Sequence, residues 1–456
     1  MKYHDALRYL YSLVDYEKRR IERYTPEEFR LDRVVHFLER LGNPQKAYPK
    51  LHVAGTKGKG SVSAMLASVA QASGKRVGLY TSPHLHTYRE RMQIDGEPIS
   101  RQQMADLIEE LQPVIESVPD LTIFEVTTSL AFLYFAREEI DLAVIEVGLG
   151  GRLDATNVIT PLVSIITSLS LDHTYLLGDT IEEIAAEKGG IIKPGVPIVS
   201  SPQQPAAVSV LEDLAEERGS PFTLVGRDWT WDPGERSFAG QSLTLHRTEG
   251  TSPLEGEYHI PLLGDFQQEN AATAIAALDR VREAGQDWIT QTAVTTGLSS
   301  AVWPGRMEVL NRDPLIVVDS AHNPYSAQTL RESLQSWFPD TRWILIYGAS
   351  NDKDVEGMLK ALLPTSEIVI VTRSYHPRAA VPYELADLCA DLGHGAEIAV
   401  NPKRALEQAC RHLEPKMGIL ATGSIFLVAE IREAWAEEGP LNLPQVDWDE
   451  EPWEQP

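Results

Sequence analysis

The sequence predicts an α/β protein of two mostly parallel-sheet domains, and three observations carry the prediction. Short apolar runs alternate with amphipathic segments along most of the chain. Several of those runs end in polar turns bearing glycine or proline, where a strand hands over to a helix. The length of 456 residues gives two or three domains at roughly 150 residues each, every one able to bury a core.

In chain order, the first candidate strands are Leu51–Val53, Arg76–Tyr80, Leu142–Val147, Val163–Thr167 and Pro197–Ser200. Ser61–Ser73, Arg101–Val118, Phe124–Glu138 and Ile181–Gly189 read as helices between them. The polar, turn-rich region Gly226–His259 reads as a β-meander insertion, and a helix follows over Glu269–Glu283. A break at Ser299–Gly305 contains Trp303-Pro304-Gly305 and serves as a linker. A second series then has strands at Leu315–Asp319, Trp343–Tyr347, Ile368–Thr372, Glu397–Ala399 and Gly418–Ala421, enough for a smaller doubly wound domain. The expected division is therefore 1–299, 300–436, and a tail 437–456, disordered or loosely packed, rich in proline, tryptophan and acids.

Composition excludes several classes. A 43% hydrophobic and 23% charged chain is not wholly disordered. Two cysteines, Cys389 and Cys410, make neither a disulfide framework nor a thiolate metal site, and are expected as plain buried thiols. His4, Asp5, Arg8 and Asp15 interrupt the N-terminal apolar residues, and no apolar stretch is long enough to span a bilayer, so the expected location is the cytoplasm, away from membranes. With 41 Lys+Arg against 66 Asp+Glu, a net charge of −25 argues against nucleic-acid binding and requires a local device for any anionic ligand.

One such device stands between the first strand and helix: Gly55-Thr56-Lys57-Gly58-Lys59-Gly60-Ser61. A strand, a glycine-rich turn and a helix N-terminus present N–H groups to phosphate, and a lysine adds a point charge. It departs from the strict phosphate-loop pattern, with Val53 in place of the first glycine and Gly60 between Lys59 and Ser61. A plain glycine-rich turn with surface lysines is the competing reading. Thr81-Ser82-Pro83-His84 follows the second strand and Leu171-Asp172-His173 the fourth; each could also be an ordinary loop. Glu146 ends an apolar strand, where a carboxylate needs a partner. Magnesium beside nucleotide phosphates is one; N–H groups of the following glycine turn are another. Asp319-Ser320-Ala321-His322-Asn323-Pro324 and Gly348–Asp354 repeat the theme in the second series, and together the strand ends point to a cleft for a nucleotide and a second substrate.

Taken in order, GTKGKGS, TSPHL, IFEVTT, EVGLGGRLDATN, LDHTYLLGDTIEEIAAEKGGIIK, LLGDFQQENAATA, WPGRMEV, DSAHNP, GASNDKD and ATGSIFLVAE resemble the folylpolyglutamate synthase and dihydrofolate synthase family of the Mur ligase superfamily. The resemblance runs from about Asp15 to Val428, with small departures at Lys57, Gly189 and Ser320. It implies a P-loop-type N-terminal domain, a smaller Rossmann-like C-terminal domain, and an ATP-dependent ligase joining L-glutamate to dihydropteroate or to reduced folates, acting as a monomer. It implies nucleotide contacts at Thr56, Lys57, Gly58, Lys59, Gly60 and Ser61, and adenosine contacts at Asn270, Arg306 and Asp319 with His322 nearby. Two magnesium ions are implied, with ligands Ser82, Glu146 and His173, supported by a carboxylated Lys188. The pterin side is implied at Thr122, Ile123, Phe124 and Glu125 and at Leu153, Asp154 and Ala155.

The chemistry behind these parts is that a carboxylate is a poor acyl donor, so ATP first converts it to an acyl phosphate, which the glutamate amine then attacks. The alternatives are a cell-wall amino-acid ligase, disfavoured by IFEVTT and DSAHNP, and a P-loop nucleotide switch without ligase activity, which would be indifferent to glutamate.

Overall fold

A computed structural model of the chain describes residues 1–14 and 31–447. They divide into two compact units: residues 1–84, 88–261 and 266–302 form the first, and residues 85–87, 262–265 and 303 onward the second.

The first unit is built on Lys50–Ala54 (β1), buried at every residue. The other strands of its sheet are Val77–Tyr80 (β2), Met92–Ile94 (β3), Glu97–Pro98 (β4), Leu142–Glu146 (β5), Ser164–Ile166 (β6), Ile198–Ser200 (β7) and Phe222–Leu224 (β8), in the order β4-β3-β2-β5-β1-β6-β7-β8. From β2 to β8 the neighbours pair in parallel; the β2–β3 and β3–β4 pairs are antiparallel. Parallel neighbours need crossovers, and the connecting helices include Lys59–Ala72 (α3), Ile123–Arg137 (α5) and Ile181–Gly189 (α7). The consequence for the site is geometric: the loops after β2, β5, β1 and β6 leave one edge of the sheet, in that spatial order.

Two amphipathic helices, Tyr3–Ser12 (α1) and Leu31–Arg40 (α2), precede β1. α1 buries Tyr3, Ala6, Leu7 and Leu10, the spacing of one helical face, and packs on Arg101–Glu116 (α4). The meander is present as Trp229–Ser237 (β9), Gly240–Arg247 (β10) and Gly256–Ile260 (β11), antiparallel throughout. Phe266–Glu283 (α9) and Gln291–Ser299 (α10) both pack on α3. Gly297 allows that approach, since a Cβ there would lie 2.3 Å from the Val69 Cα.

The second unit has a six-stranded sheet of Glu308–Arg312 (β12), Leu315–Asp319 (β13), Arg342–Tyr347 (β14), Ser366–Val371 (β15), Glu397–Ile398 (β16) and Met417–Thr422 (β17), ordered β12-β13-β17-β14-β15-β16. All pairs are parallel except β12 on β13. Its helices include Pro324–Trp337 (α11), Pro402–Arg411 (α14) and Ile425–Ala436 (α15). Asn323 starts α11 with a reciprocal capping box to Ser326, worth about 1 kcal/mol.

Several expectations need correction. Cys389 is buried, but Cys410 is exposed on α14, so the two thiols are not alike. Within the stretch from His84 to Gly96, Thr87, Tyr88, Arg89, Arg91 and Met92 are all buried. The Tyr88 hydroxyl is 2.6 Å from Thr127 Oγ1, and Arg91 Nε donates to His84 Nδ1 at 3.1 Å. Residues 448–456 of the expected tail lie outside the described residues. Within 437–447 there is neither helix nor strand, yet Asp447 is 3% exposed and accepts from the Thr87 hydroxyl at 2.6 Å. Among the described residues no helix is long and apolar enough to cross a membrane.

Candidate active site

The glycine-rich loop leaves β1 under close constraint. Gly55 has φ +152°, and a Cβ there would lie 1.8 Å from Thr167 Oγ1, so the ends of β1 and β6 meet only because position 55 lacks a side chain. The N–H groups of Thr56 and Lys57 both donate to the Ser168 carbonyl, at 3.0 and 3.1 Å. Gly58, at φ +89°, then caps α3. Lys59, Gly60 and Ser61 form the first turn, whose N–H groups have no acceptor inside the helix and face an incoming anion with the positive end of the helix dipole.

A second element closes on this loop. A Cβ on Gly58 would lie 2.3 Å from Asn270 Oδ1, which places the expected adenosine contact of α9 directly beside the phosphate loop. Asn270 Nδ2 donates to Gln267 Oε1 at 2.9 Å, and Gln267 Nε2 to Ser61 Oγ at 3.3 Å. Gln267 is fully buried and was not singled out from the sequence. The signal available was a polar pair at i and i+3 on one helical face.

On the neighbouring strands, Glu146 and Ser82 come together. Glu146 is 4% exposed; Oε2 accepts from the Ser82 N–H at 3.2 Å, and Oε1 lies 3.9 Å from Lys59 Nζ. On the far side of the loop, Lys57 Nζ is 3.0 Å from Asp172 Oδ2, and His173 follows with φ +51°. Lys188, at the end of α7, is 5% exposed. Burial first, then the neighbouring Lys59, pushes its ammonium down to about 7, against the opposing pull of Asp172. Buried Glu146 and Lys188 thus stand with the partly buried Lys57, Lys59 and Asp172 around the glycine-rich loop.

The residues suit a magnesium ion. A buried carboxylate and a hydroxyl are hard oxygen donors, and Ser170 Oγ, buried beside Thr56, has no hydrogen-bond partner. Among the described residues no three His, Cys, Asp or Glu side chains converge into a metal cage. Magnesium does not need one, since it keeps waters and phosphate oxygens among its ligands.

The two segments expected on the pterin side are each ordered locally. Thr122 and Glu125 form the capping box of α5, with Glu125 Oε1 3.2 Å from Arg33 Nε, so their polar atoms organise the helix start. Ile123 is buried, and its N–H donates to the Val14 carbonyl. Phe124 turns to the next strand end: a Cβ on Gly148 would lie 2.3 Å from its Cζ. Asp154 is buried between Leu153 and Ala155 and accepts from the N–H groups of Leu149 and Thr156, both at 2.9 Å. Burial raises its pKa, although those hydrogen bonds oppose the rise. Asp154 Oδ1 also takes the Thr156 hydroxyl, which receives His52 Nε2–H, so this loop is ordered from beneath by a buried relay.

In the second unit, Asp319 at the end of β13 holds the turn that carries Arg306. Asp319 Oδ2 accepts from the Met307 N–H at 2.8 Å, and Arg306 Nη1 donates to the Gly305 carbonyl at 3.0 Å. His322 Nδ1 lies 2.9 Å from the Ser320 carbonyl in the loop after β13.

Comparison with known proteins agrees with both halves. The Mur ligase middle domain matches residues 53–278, and the Mur ligase glutamate ligase domain residues 305–425. The dihydrofolate synthase/folylpolyglutamate synthase of Bacillus subtilis is 34% identical over 414 residues, covering 88% of this chain and 94% of that protein. Mycobacterium tuberculosis folylpolyglutamate synthase complexed with ADP superposes with a TM-score of 0.85 at 32% identity, over 96% of this chain and 99% of that one. An FPGS-AMPPCP-folate complex gives 0.80 at 31% identity, over 95% and 99%.

Proposed function

The chain belongs to the folylpolyglutamate synthase/dihydrofolate synthase family and is an ATP-dependent acid–amino-acid ligase that adds glutamate to folates; we propose that it accepts dihydropteroate as well, through one shared active site. The observation that carries the reading is the run of strand ends in which Lys59 faces Glu146 and Lys188 is buried among Lys59, Lys57 and Asp172.

In this reading the first turn of α3 and Lys59 hold the transferred phosphate and neutralise it as the acceptor carboxylate attacks, so that ADP leaves and an acyl phosphate remains. The amine of L-glutamate then attacks the acyl carbon, forming the amide and releasing phosphate. Asn270, Arg306 and Asp319, with His322, serve the adenosine; Thr56, Lys57, Gly58, Gly60 and Ser61 serve the phosphates. Phe124 and the Leu153–Ala155 loop serve the pterin, with Thr122, Ile123 and Glu125 shaping the helix start beneath it. Ser82, Glu146 and His173 would hold magnesium, two ions in all, which when bound neutralises phosphate charge.

Lys188 is proposed to carry a carboxylate on Nζ, formed when its neutral amine adds to CO2 and loses a proton. An anion there supports a cation site that a plain ammonium would repel. The same reading has the enzyme working as a cytoplasmic monomer on small molecules, without nucleic-acid or membrane partners.

The test supplies ATP, glutamate and magnesium with dihydropteroate and with a reduced folate in turn, reading products by mass. Both acceptors should gain one glutamate. An acceptor giving no product above a Lys59→Ala control makes the enzyme monofunctional.

A further inference from the structure

Arg306 stands between two peptide groups that are each held by a carboxylate. Before it, the Gly305 N–H donates to Glu308 Oε2 at 2.7 Å; after it, the Met307 N–H donates to Asp319 Oδ2 at 2.8 Å. The Gly305 carbonyl also accepts from the Ser320 N–H at 2.9 Å. Both flanking residues have positive φ, +72° at Gly305 and +44° at Met307. A non-glycine residue keeps that conformation only when its surroundings impose it.

The two carboxylates are anchored differently. Asp319 is fixed within its own turn, its other oxygen accepting from the Ala321 N–H at 2.8 Å. Glu308 is fixed from α15: Arg432 Nη2 donates to Oε1 at 3.2 Å, and Nε lies 3.0 Å from Oε2. Arg432 is only 4% exposed. Its remaining amine, Nη1, is directed at His86 Nε2. A guanidinium can only donate, so His86 carries its proton on Nδ1 and gives it to Glu433 Oε1 at 2.9 Å. Nη1 and Nη2 each have an acceptor, while Nε meets Glu308 at ion-pair distance without a hydrogen bond, so Glu308 is held from α15 by one hydrogen bond and one charge contact.

We infer that Arg432 is a positioning residue for nucleotide binding: through Glu308 it holds the turn from Gly305 to Met307 and so fixes the direction in which Arg306 leaves the backbone. The inference rests on Arg306 acting as an adenosine contact. Without Arg432, Glu308 keeps its charge but loses the pairing that orients it, and the turn is left to Asp319 and the Ser320 N–H. Misplacement of a binding group by about 1 Å can cost two orders of magnitude in rate, so a partial loosening is expected to be visible.

The test measures KM for ATP, glutamate and acceptor separately, with ADP affinity and thermal unfolding, in Arg432→Met, Glu308→Gln and Arg306→Ala. Arg432→Met should raise KM for ATP about tenfold and weaken ADP in step, with kcat and KM for glutamate within about twofold. Glu308→Gln keeps an oxygen for the Gly305 N–H but loses the charge pair, and should move the same constant less. A merely structural role would lower the unfolding temperature and leave KM for ATP alone, which overturns the inference. If Arg432→Met does not fold, Glu308→Gln decides: an unchanged KM for ATP overturns it. Arg306→Ala separates the premise, because an unchanged KM for ATP there overturns the adenosine contact, whereas a raised one beside an unaffected Arg432→Met overturns the positioning role alone.

Discussion

Lys57 Nζ lies 3.0 Å from Asp172 Oδ2, so the additional cation of the glycine-rich loop is already neutralised within the protein. It is therefore not offered whole to phosphate. Lys57→Asn should cost less than about tenfold in kcat/KM for ATP, far less than loss of Lys59. A drop as deep as that of Lys59→Ala would mean Lys57 meets phosphate directly.

Among the described residues Lys59 has no partner as close: its Nζ stands 3.9 Å from Glu146 Oε1 and donates to the Gly55 carbonyl. Lys59→Ala should reduce ligation by at least about two orders of magnitude. It should also lower stability by about 1 kcal/mol, since Glu146 then keeps its buried charge with less compensation. Steady-state turnover and a denaturant midpoint measured on one preparation check both halves.

Lys188 makes a pH prediction. Its folded pKa is about 7 against the ordinary 10.5. Between those values the unfolded chain binds a proton that the folded chain does not, so stability rises with pH across that window. Below about pH 7 the penalty of a buried cation is present in full. Urea midpoints of CO2-depleted enzyme should climb from pH 7 to 9, and Lys188→Met should flatten the climb. Bicarbonate should restore turnover to the depleted enzyme, and short carboxylic acids should restore some to Lys188→Ala; failure of both removes the modified lysine from the mechanism.

Two glycines separate the substrates. A Cβ on Gly148 would press on the Phe124 ring, and one on Gly58 on Asn270 Oδ1. Gly148→Ala should therefore raise KM for the acceptor by about tenfold and spare ATP. Gly58→Ala should do the reverse and cost about 1–3 kcal/mol, because φ is +89° there. Matched effects on both substrates in either variant would contradict the assignment.

What could be read in advance followed from local chemistry. α7 starts at its Thr180–Glu183 capping box and stops at its closing glycines, and the ten strands expected from apolar runs lie within two residues of the observed ones. α10 was missed because QTAVTTGLS is poor in helix formers; it is a helix because Gly297 lets it lie against α3. β12 was missed because its residues are only half buried, and its strand character comes from pairing with β13. The strand-end motifs were legible because each is local in sequence, whereas their spatial order is set by the sheet topology. Glu308 and Arg432, 124 residues apart, left no such trace.

The unlike thiols give the native chain a labelling chemistry of its own. Cys389 is sealed in the second unit, while Cys410 on α14 is exposed, its thiol held above the usual range by partial burial of the sulfur and then by Glu438. Alkylation of the folded protein should thus need a mildly alkaline buffer and stop at one sulfur. A fluorophore or spin label placed there would report on the second unit from a defined position, with no cysteine removed or introduced.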